Sequence, residues 1–204
     1  VSTDAHKLVK YAFHGISNDV ATQFILPKKT CNLLKNVLPA DTEVEVSFNK
    51  SNAFFTFGHT IMACRLLDAK YPDYNAVIPV DNPNVLTVNR PQLLQSLRRI
   101  SIYANKTTNQ VALHIDDGSL TITSQDLDFS NEATEQLACS FKGSPMSIAF
   151  NGKFLIEMLS VLTYDEVCFK LSTPNRAGIV TPAEEVKGQD LLMLVMPVLI
   201  NQSH

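Results

Sequence analysis

Hydrophobic positions recur along the chain in three stretches of one design, TQFILPKKTCNLLKNVL, VLTVNRPQLLQSLRRISI and MSIAFNGKFLIEMLSVL. Each opens with a short alternating run, the mark of a strand. It then passes a proline or polar break into apolar positions three and four apart, the mark of a short helix. The last strand residues, Leu26, Val88 and Phe150, are equally spaced, so the pattern reads as an internal repeat. Further strands follow each helix. DTEVEVSF puts Val44, Val46 and Phe48 on one face, and NKSN turns the chain into AFFTF and then IMACRLL. In VALHIDDGSLTITS, Asp117 and Gly118 between two alternating runs predict a hairpin with a type I′ turn. After the third helix comes DEVCFKL. The expected fold class is α+β, built from repeated units of one helix packed on antiparallel strands.

A helical wheel separates the faces. The first helix gathers Cys31, Leu34, Val37 and Leu38 on one side and Lys28, Lys29, Asn32, Lys35 and Asn36 on the other. The second turns Leu93, Leu97 and Ile100 inward and Arg98 and Arg99 outward. In the third, Phe154, Leu155, Met158, Leu159, Val161 and Leu162 leave only Lys153, Glu157 and Ser160 for solvent.

Charge sharpens this picture. The chain carries 17 Lys and Arg against 20 Asp and Glu, a net charge of -3. Yet segment 26–39 holds Lys28, Lys29 and Lys35 without an acid, and segment 90–106 holds Arg90, Arg98, Arg99 and Lys106 without one. Two acid-free helices in an acidic chain suit sequence-independent contact with a polyanion. The other reading is two solvated amphipathic faces. No apolar run approaches the length of a bilayer crossing, since LLMLVMPVLI is short and broken by Pro197. Val1 opens no secretory pattern, so a cytoplasmic location is expected. The four cysteines, without a C-x-x-C pair, read as reduced buried thiols.

Catalytic signals are sparse. Cys31 falls on the apolar helix face, His59 and His114 fall in strand-like runs without metal-ligand spacing, and Asp116, Asp117, Asp126 and Asp128 read as solvated turn acids. No phosphate-binding glycine loop is present. A small hydrolase using His6 or Cys31, and a stand-alone nucleic-acid module, are the alternatives from other classes.

The segment KYPDYNAVIP, too stiff for a free linker and too broken for a helix, connects the first repeat to the second. This segment, STDAHKLV at 2–9, IAFNGKFLIEML and LMLVMPV together resemble the bacterial DNA polymerase sliding clamp family, the β subunit of the replicative polymerase. The resemblance runs along nearly the whole chain in the family's order. It implies the DNA-clamp fold, with residues 1–82 as the later half of a middle domain and 83–204 as a third domain. A first domain and about half of the second are then missing. It also implies a non-catalytic processivity factor of replication, a homodimeric ring around double-stranded DNA at the bacterial nucleoid, with no metal or cofactor.

On this resemblance, a groove binds linear peptides of the replicative polymerase, clamp loader and repair proteins. Its residues are Thr3, His6, Lys7 and Leu8; Pro72 and Val77 from the crossing; Asn151 and Phe154; and Leu194, Met196, Pro197 and Val198. Tyr71 and Tyr74 anchor the crossing. Lys28, Lys29, Lys35, Arg98 and Arg99 are the expected DNA-facing cations, and Ile102 and Tyr103 the expected ring interface. The chain departs from the family where Ala5 replaces the usual Gly and Lys7 the usual Arg. It departs again at Asn75 and Ala76, often basic, and at the ending MPVLINQSH, which shifts the expected peptide preference.

Overall fold

The computed structural model describes residues 1–17 and 20–199. Ile200 and the tail at 201–204, on which part of the terminal expectation falls, lie outside the described residues. The chain forms two compact units, one of residues 1–16 with those from Asn75 onward, the other of residues 17–74. Backbone pairing rather than chain order decides which segments are compact together: β1 (Ser2–Thr3) and β2 (Lys7–Phe13) belong to the larger unit.

The smaller unit holds α1 (Lys28–Val37), β3 (Glu45–Phe48), β4 (Asn52–Phe57) and β5 (Thr60–Arg65), with the strands in the order β3-β4-β5. Alternation works on the central strand, where Ala53, Phe55 and Phe57 are buried under Leu26, Leu34, Leu38 and Val44. It fails at the edges. Val46 and Phe48 are exposed on β3, and on α1 Val37 is exposed and so is Cys31, contrary to its expected place as a buried core thiol. Three strands present too little apolar surface to cover the whole helix face, so only Thr30 of α1 is buried. The segment 22–26 is not a strand. Leu67 N–H donates to the Ile25 carbonyl at 3.0 Å, without the continuous ladder a strand needs. His59 sits in the turn between β4 and β5 rather than in a strand.

A 3-10 turn spans Tyr74–Val77, so the proline-rich crossing contains helical backbone after all. Beyond it come β6 (Asn84–Asn89), α2 (Arg90–Ile100), a 3-10 turn at Ser101–Tyr103, β7 (Gln110–Asp116), β8 (Ser119–Asp126), β9 (Asn131–Ala138) and β10 (Ser140–Lys142). The chain closes with β11 (Met146–Asn151), α3 (Gly152–Ser160), β12 (Glu166–Leu171), β13 (Gly178–Pro182), β14 (Gln189–Val195) and β15 (Pro197–Val198). These make a seven-stranded sheet, β1-β2-β14-β13-β12-β6-β10, and a five-stranded sheet, β15-β11-β7-β8-β9. Every pairing is antiparallel.

Helices α2 and α3 pack against each other and against strands of both sheets. Leu93, Leu97 and Ile100 of α2 and Leu155, Met158 and Leu159 of α3 join Leu86, Val88, Leu113, Ile122, Phe150 and Phe169 in one core. Both helices follow a strand and start at an asparagine. Asn89 Oδ1 accepts from Gln92 N–H, and Asn151 Oδ1 from Lys153 N–H, both at 3.0 Å. Such caps stabilise a helix by about 1 kcal/mol each.

Three local expectations change. Val161 lies just past α3 and is 66% exposed: it keeps helical backbone angles, φ -91 and ψ -8, and falls at the edge of the apolar arc, away from buried Leu155 and Leu159. In the β7–β8 hairpin Gly118 takes φ +75 while Asp117 keeps a negative φ, so the turn has the φ pattern of type II, not type I′. Asp126 is buried, not solvated: its carboxylate accepts from Asp128 N–H at 3.2 Å and Asn105 Nδ2 at 3.4 Å, which folds the β8–β9 loop onto the segment after the 3-10 turn. His114 does bridge strands, pairing with Ser147 Oγ at 2.8 Å and Thr123 Oγ1 at 3.0 Å. All four cysteines are free thiols, with Cys64, Cys139 and Cys168 partly buried and burial holding the Cys139 thiol above its usual range.

Candidate functional site

Within the larger unit, three expected pieces of the groove meet where the chain changes sheets. After β14 it leaves the seven-stranded sheet, and two residues later β15 pairs with β11 of the other, Val198 opposite Ala149 and Pro197 opposite Phe150. Met196 makes the switch; its N–H donates to the His6 carbonyl at 2.9 Å and its side chain is 43% exposed. β11 runs straight into Asn151 and α3, which places Phe154 beside the same corner.

The short β1–β2 turn supplies the third side. Thr3 Oγ1 donates to the Lys7 carbonyl at 2.8 Å, and Asp4 Oδ1 accepts from the N–H groups of His6 at 3.1 Å and Lys7 at 2.9 Å. These bonds hold Ala5 at φ +73, a region that suits glycine. His6 stacks on Phe154, with ring centroids 5.6 Å apart and planes 25° apart. Lys7 Nζ sits 4.5 Å from the Phe154 centroid, pairs with Asp4, and reaches Glu157 at 3.1 Å.

Charge at this corner is therefore largely internal. Burial works against ionisation of Asp4, but hydrogen bonds from the Lys7 ammonium and from the Lys7 and His6 backbones outweigh it and carry its pKa down to about 2. The Asp4 and Glu157 carboxylates raise the Lys7 pKa in turn. From sequence Asp4 stands out only as an acid near His6 and Glu157 only as a solvent-facing helix position; the spacing of Asp4 and Lys7 across a tight turn is the signal for their pairing. Leu8 and Leu194 face each other in the β2–β14 ladder and are buried, so neither side chain is open to a ligand, contrary to the expectation of groove-lining residues. Thr3, Met196 and Val77 are exposed, and Asn151, Phe154, Pro197 and Val198 half-buried.

Pro72 belongs to the smaller unit, where it is exposed, and Tyr71 and Tyr74 meet edge-on at 6.3 Å. An anchor that sequence reasoning missed is Asn82, whose Nδ2 donates to the carbonyls of Lys170 at 2.9 Å and Ala177 at 3.1 Å.

The expected cations differ in their freedom. Lys28, Lys29 and Lys35 are exposed on α1. On α2, Arg98 is exposed without a partner among the described residues, while Arg99 is locked to Glu135 of β9, Nε to Oε1 at 2.7 Å and Nη2 to Oε2 at 2.6 Å. Ile102 and Tyr103, 65% and 44% exposed, lie on a 3-10 turn that packs against β8 and β9, and Leu127 and Phe129 in the loop joining those strands are also exposed and not anticipated from sequence. Among the described residues no cluster of His, Cys, Asp or Glu could hold a metal, and no helix is long and apolar enough to cross a membrane.

Two antiparallel sheets sharing a core with two adjacent helices, each helix entered from a strand through an asparagine cap, define a protein of the DNA-clamp class. Known structures agree. The DNA polymerase III subunit beta of Pseudomonas aeruginosa superposes with a TM-score of 0.91 at 28% identity, covering 98% of this chain and 54% of that one. A sliding clamp from Bartonella birtlesii, solved with griselimycin bound, gives 0.90 at 28% identity, covering 98% and 54%. The beta sliding clamp of Vibrio cholerae is 28% identical over 199 residues, 97% of this chain and 53% of that protein. Family models for the DNA polymerase III beta subunit match its central domain at residues 1–73 and its C-terminal domain at 75–198. The chain belongs to the DNA polymerase III beta subunit family. It spans about half the length of the curated relatives it matches.

Proposed function

We propose that the chain is the later part of a replication processivity factor that works by enclosing double-stranded DNA and docking other proteins, not by catalysis. In this reading residues 1–82 are the second half of a middle domain and 83–204 a third domain. The full-length subunit closes as a homodimeric ring, with Ile102 and Tyr103 at its joint, and acts on the chromosome in the bacterial cytoplasm. Replicative polymerase, clamp loader and repair proteins bind in turn through linear peptides.

The observation that carries the docking role is the corner where Phe154, His6, Lys7 and Met196 meet. A half-buried aromatic ring with exposed apolar neighbours and polar groups at its rim suits an extended apolar side chain and fixes its orientation. Lys28, Lys29, Lys35 and Arg98 supply the few non-specific phosphate contacts that a sliding protein tolerates.

The test is fluorescence anisotropy of a labelled clamp-binding peptide titrated with this chain, with Phe154→Ala and Met196→Ser compared after circular dichroism confirms their fold. Saturable binding that weakens by roughly tenfold or more in Phe154→Ala, as expected for an aromatic anchor, supports the groove. Equal binding by wild type and both folded variants overturns it.

A further inference from the structure

Helix α2 carries three arginines, and the structure uses them in three different ways. Arg90 is spent inside the fold, its Nε donating to the Tyr164 carbonyl at 2.5 Å and its Nη1 to the Leu159 carbonyl at 3.2 Å. Arg99 makes the two-pronged contact with Glu135. Arg98 alone has no hydrogen bond or ion pair among the described residues. Glu135 is fixed in place, since it lies on β9 between Ala133 and Leu137, both packed against the core, and its side chain is 26% exposed against 60% for Arg99.

We propose that Glu135 is a charge mask: it withdraws Arg99 from polyanion contact and leaves Arg98 as the acting cation of α2. The inference rests on reading the outer face of α2 as facing a polyanion, and it names what limits the contact there. A phosphate offers Arg99 only the exchange of one bidentate anion for another, and it strands the Glu135 carboxylate next to a second negative group. The Arg99 guanidinium already holds that carboxyl below its usual range against its partial burial. Since only cations neutralised by phosphate release counterions on binding, Arg98 adds to the salt dependence of DNA binding and Arg99 does not. Glu135 thereby keeps the helix from gripping DNA with two adjacent arginines, which suits movement along it.

The experiment is anisotropy of a fluorescein-labelled short duplex titrated from low to physiological salt. The proteins are wild type, Arg98→Gln, Arg99→Gln, Glu135→Gln and the Glu135→Gln/Arg99→Gln double variant, with thermal unfolding of each. Each phosphate contact contributes about 0.9 to the slope of log affinity on log salt. Arg98→Gln is expected to lower that slope by about 0.9, Arg99→Gln to leave it unchanged, and Glu135→Gln to raise it by about 0.9. The double variant should return to the wild-type slope, because the gain runs through Arg99. A role limited to stapling β9 onto α2 would move the unfolding temperature and not the slope. Glu135→Gln binding no more strongly than wild type at the lowest salt, or Arg99→Gln losing as much slope as Arg98→Gln, overturns the mask. If Arg98→Gln also changes nothing, the polyanion role of α2 falls with it; an Arg98 effect without a Glu135 effect removes the mask alone.

Discussion

Gly152 opens α3, and replacing it with alanine sets helix propensity against packing. In an ideal helix interior alanine is favoured over glycine by about 1 kcal/mol, and by less at a first helical position. Against this, a Cβ at Gly152 would lie 2.6 Å from Ser101 Oγ and 2.8 Å from Val111 Cγ2. The two contacts are not equivalent. Ser101 Oγ has no hydrogen-bond partner among the described residues, so its hydroxyl can rotate away without losing a bond. Val111 is fully buried on β7 and, being β-branched, has one comfortable rotamer. The backbone has little room to back off either, because Gly152 N–H donates to the Asn109 carbonyl at 2.8 Å. Overpacking of this kind costs about 1–3 kcal/mol, which outweighs the propensity gain and leaves a net loss of about 1–2 kcal/mol. For a chain of this size that is a fall of about 2–8 °C in Tm. Urea unfolding of wild type, Gly152→Ala, Val111→Ala and the double variant measures it. The double variant should be more stable than the sum of the single losses by about 1 kcal/mol, because removing the Val111 methyls makes space for the new Cβ. Gly152→Ala unfolding at or above the wild-type urea midpoint would refute the packing argument.

Two further predictions concern the β1–β2 turn. The Asp4 pKa falls from 3.8 to about 2 on folding, so its contribution is complete above about pH 5 and is lost as pH drops through the folded pKa. The stability difference between wild type and Asp4→Asn, followed by thermal unfolding, should be constant above pH 5, where Asp4 is ionised folded and unfolded alike, and shrink toward pH 2; a constant difference down to pH 2 would contradict the assignment. Ala5 holds φ +73 at a cost of about 1–2 kcal/mol, and glycine removes that strain while adding about 0.5–1 kcal/mol of unfolded-chain entropy. Ala5→Gly should therefore be neutral to stabilising by up to about 1 kcal/mol in urea unfolding, and a clear destabilisation would count against the strain.

The repeat was legible where a strand feeds a helix through an asparagine. Val88 with Asn89 and Phe150 with Asn151 obey the same rule: the strand's last inward residue is buried in the common core, and the next side chain caps the helix. Leu26 has the same apolar lead-in but is followed by Pro27, which offers no side-chain acceptor, and no neighbouring strand completes its ladder. Periodicity marks which face of an element is apolar, but not whether anything covers it. That is why Cys31 is misread as core, and why Val37, Val46, Phe48 and Val161, each on an apolar face, are nevertheless exposed. Asp126 errs the other way. Its place beside a turn signals solvent, while its burial depends on Asn105, a partner that local sequence gives no reason to choose.

The site was legible as a set of positions, because a family resemblance assigns residues to a groove without saying how they touch. Its chemistry came from contacts between elements far apart in sequence. His6 is carried onto Phe154 by the β2–β14 ladder, and Lys7 is shared between a carboxylate three residues away and Glu157 on a helix. Charge suffers most from this blindness. A wheel counts Arg98 and Arg99 as two equal outward cations, because an edge strand that returns with Glu135 alongside the helix has no place on a wheel. Two adjacent exposed arginines then differ in their ion pairing through one carboxylate distant in sequence. The number of cations that α2 can offer a phosphate is set by β9 as much as by α2 itself.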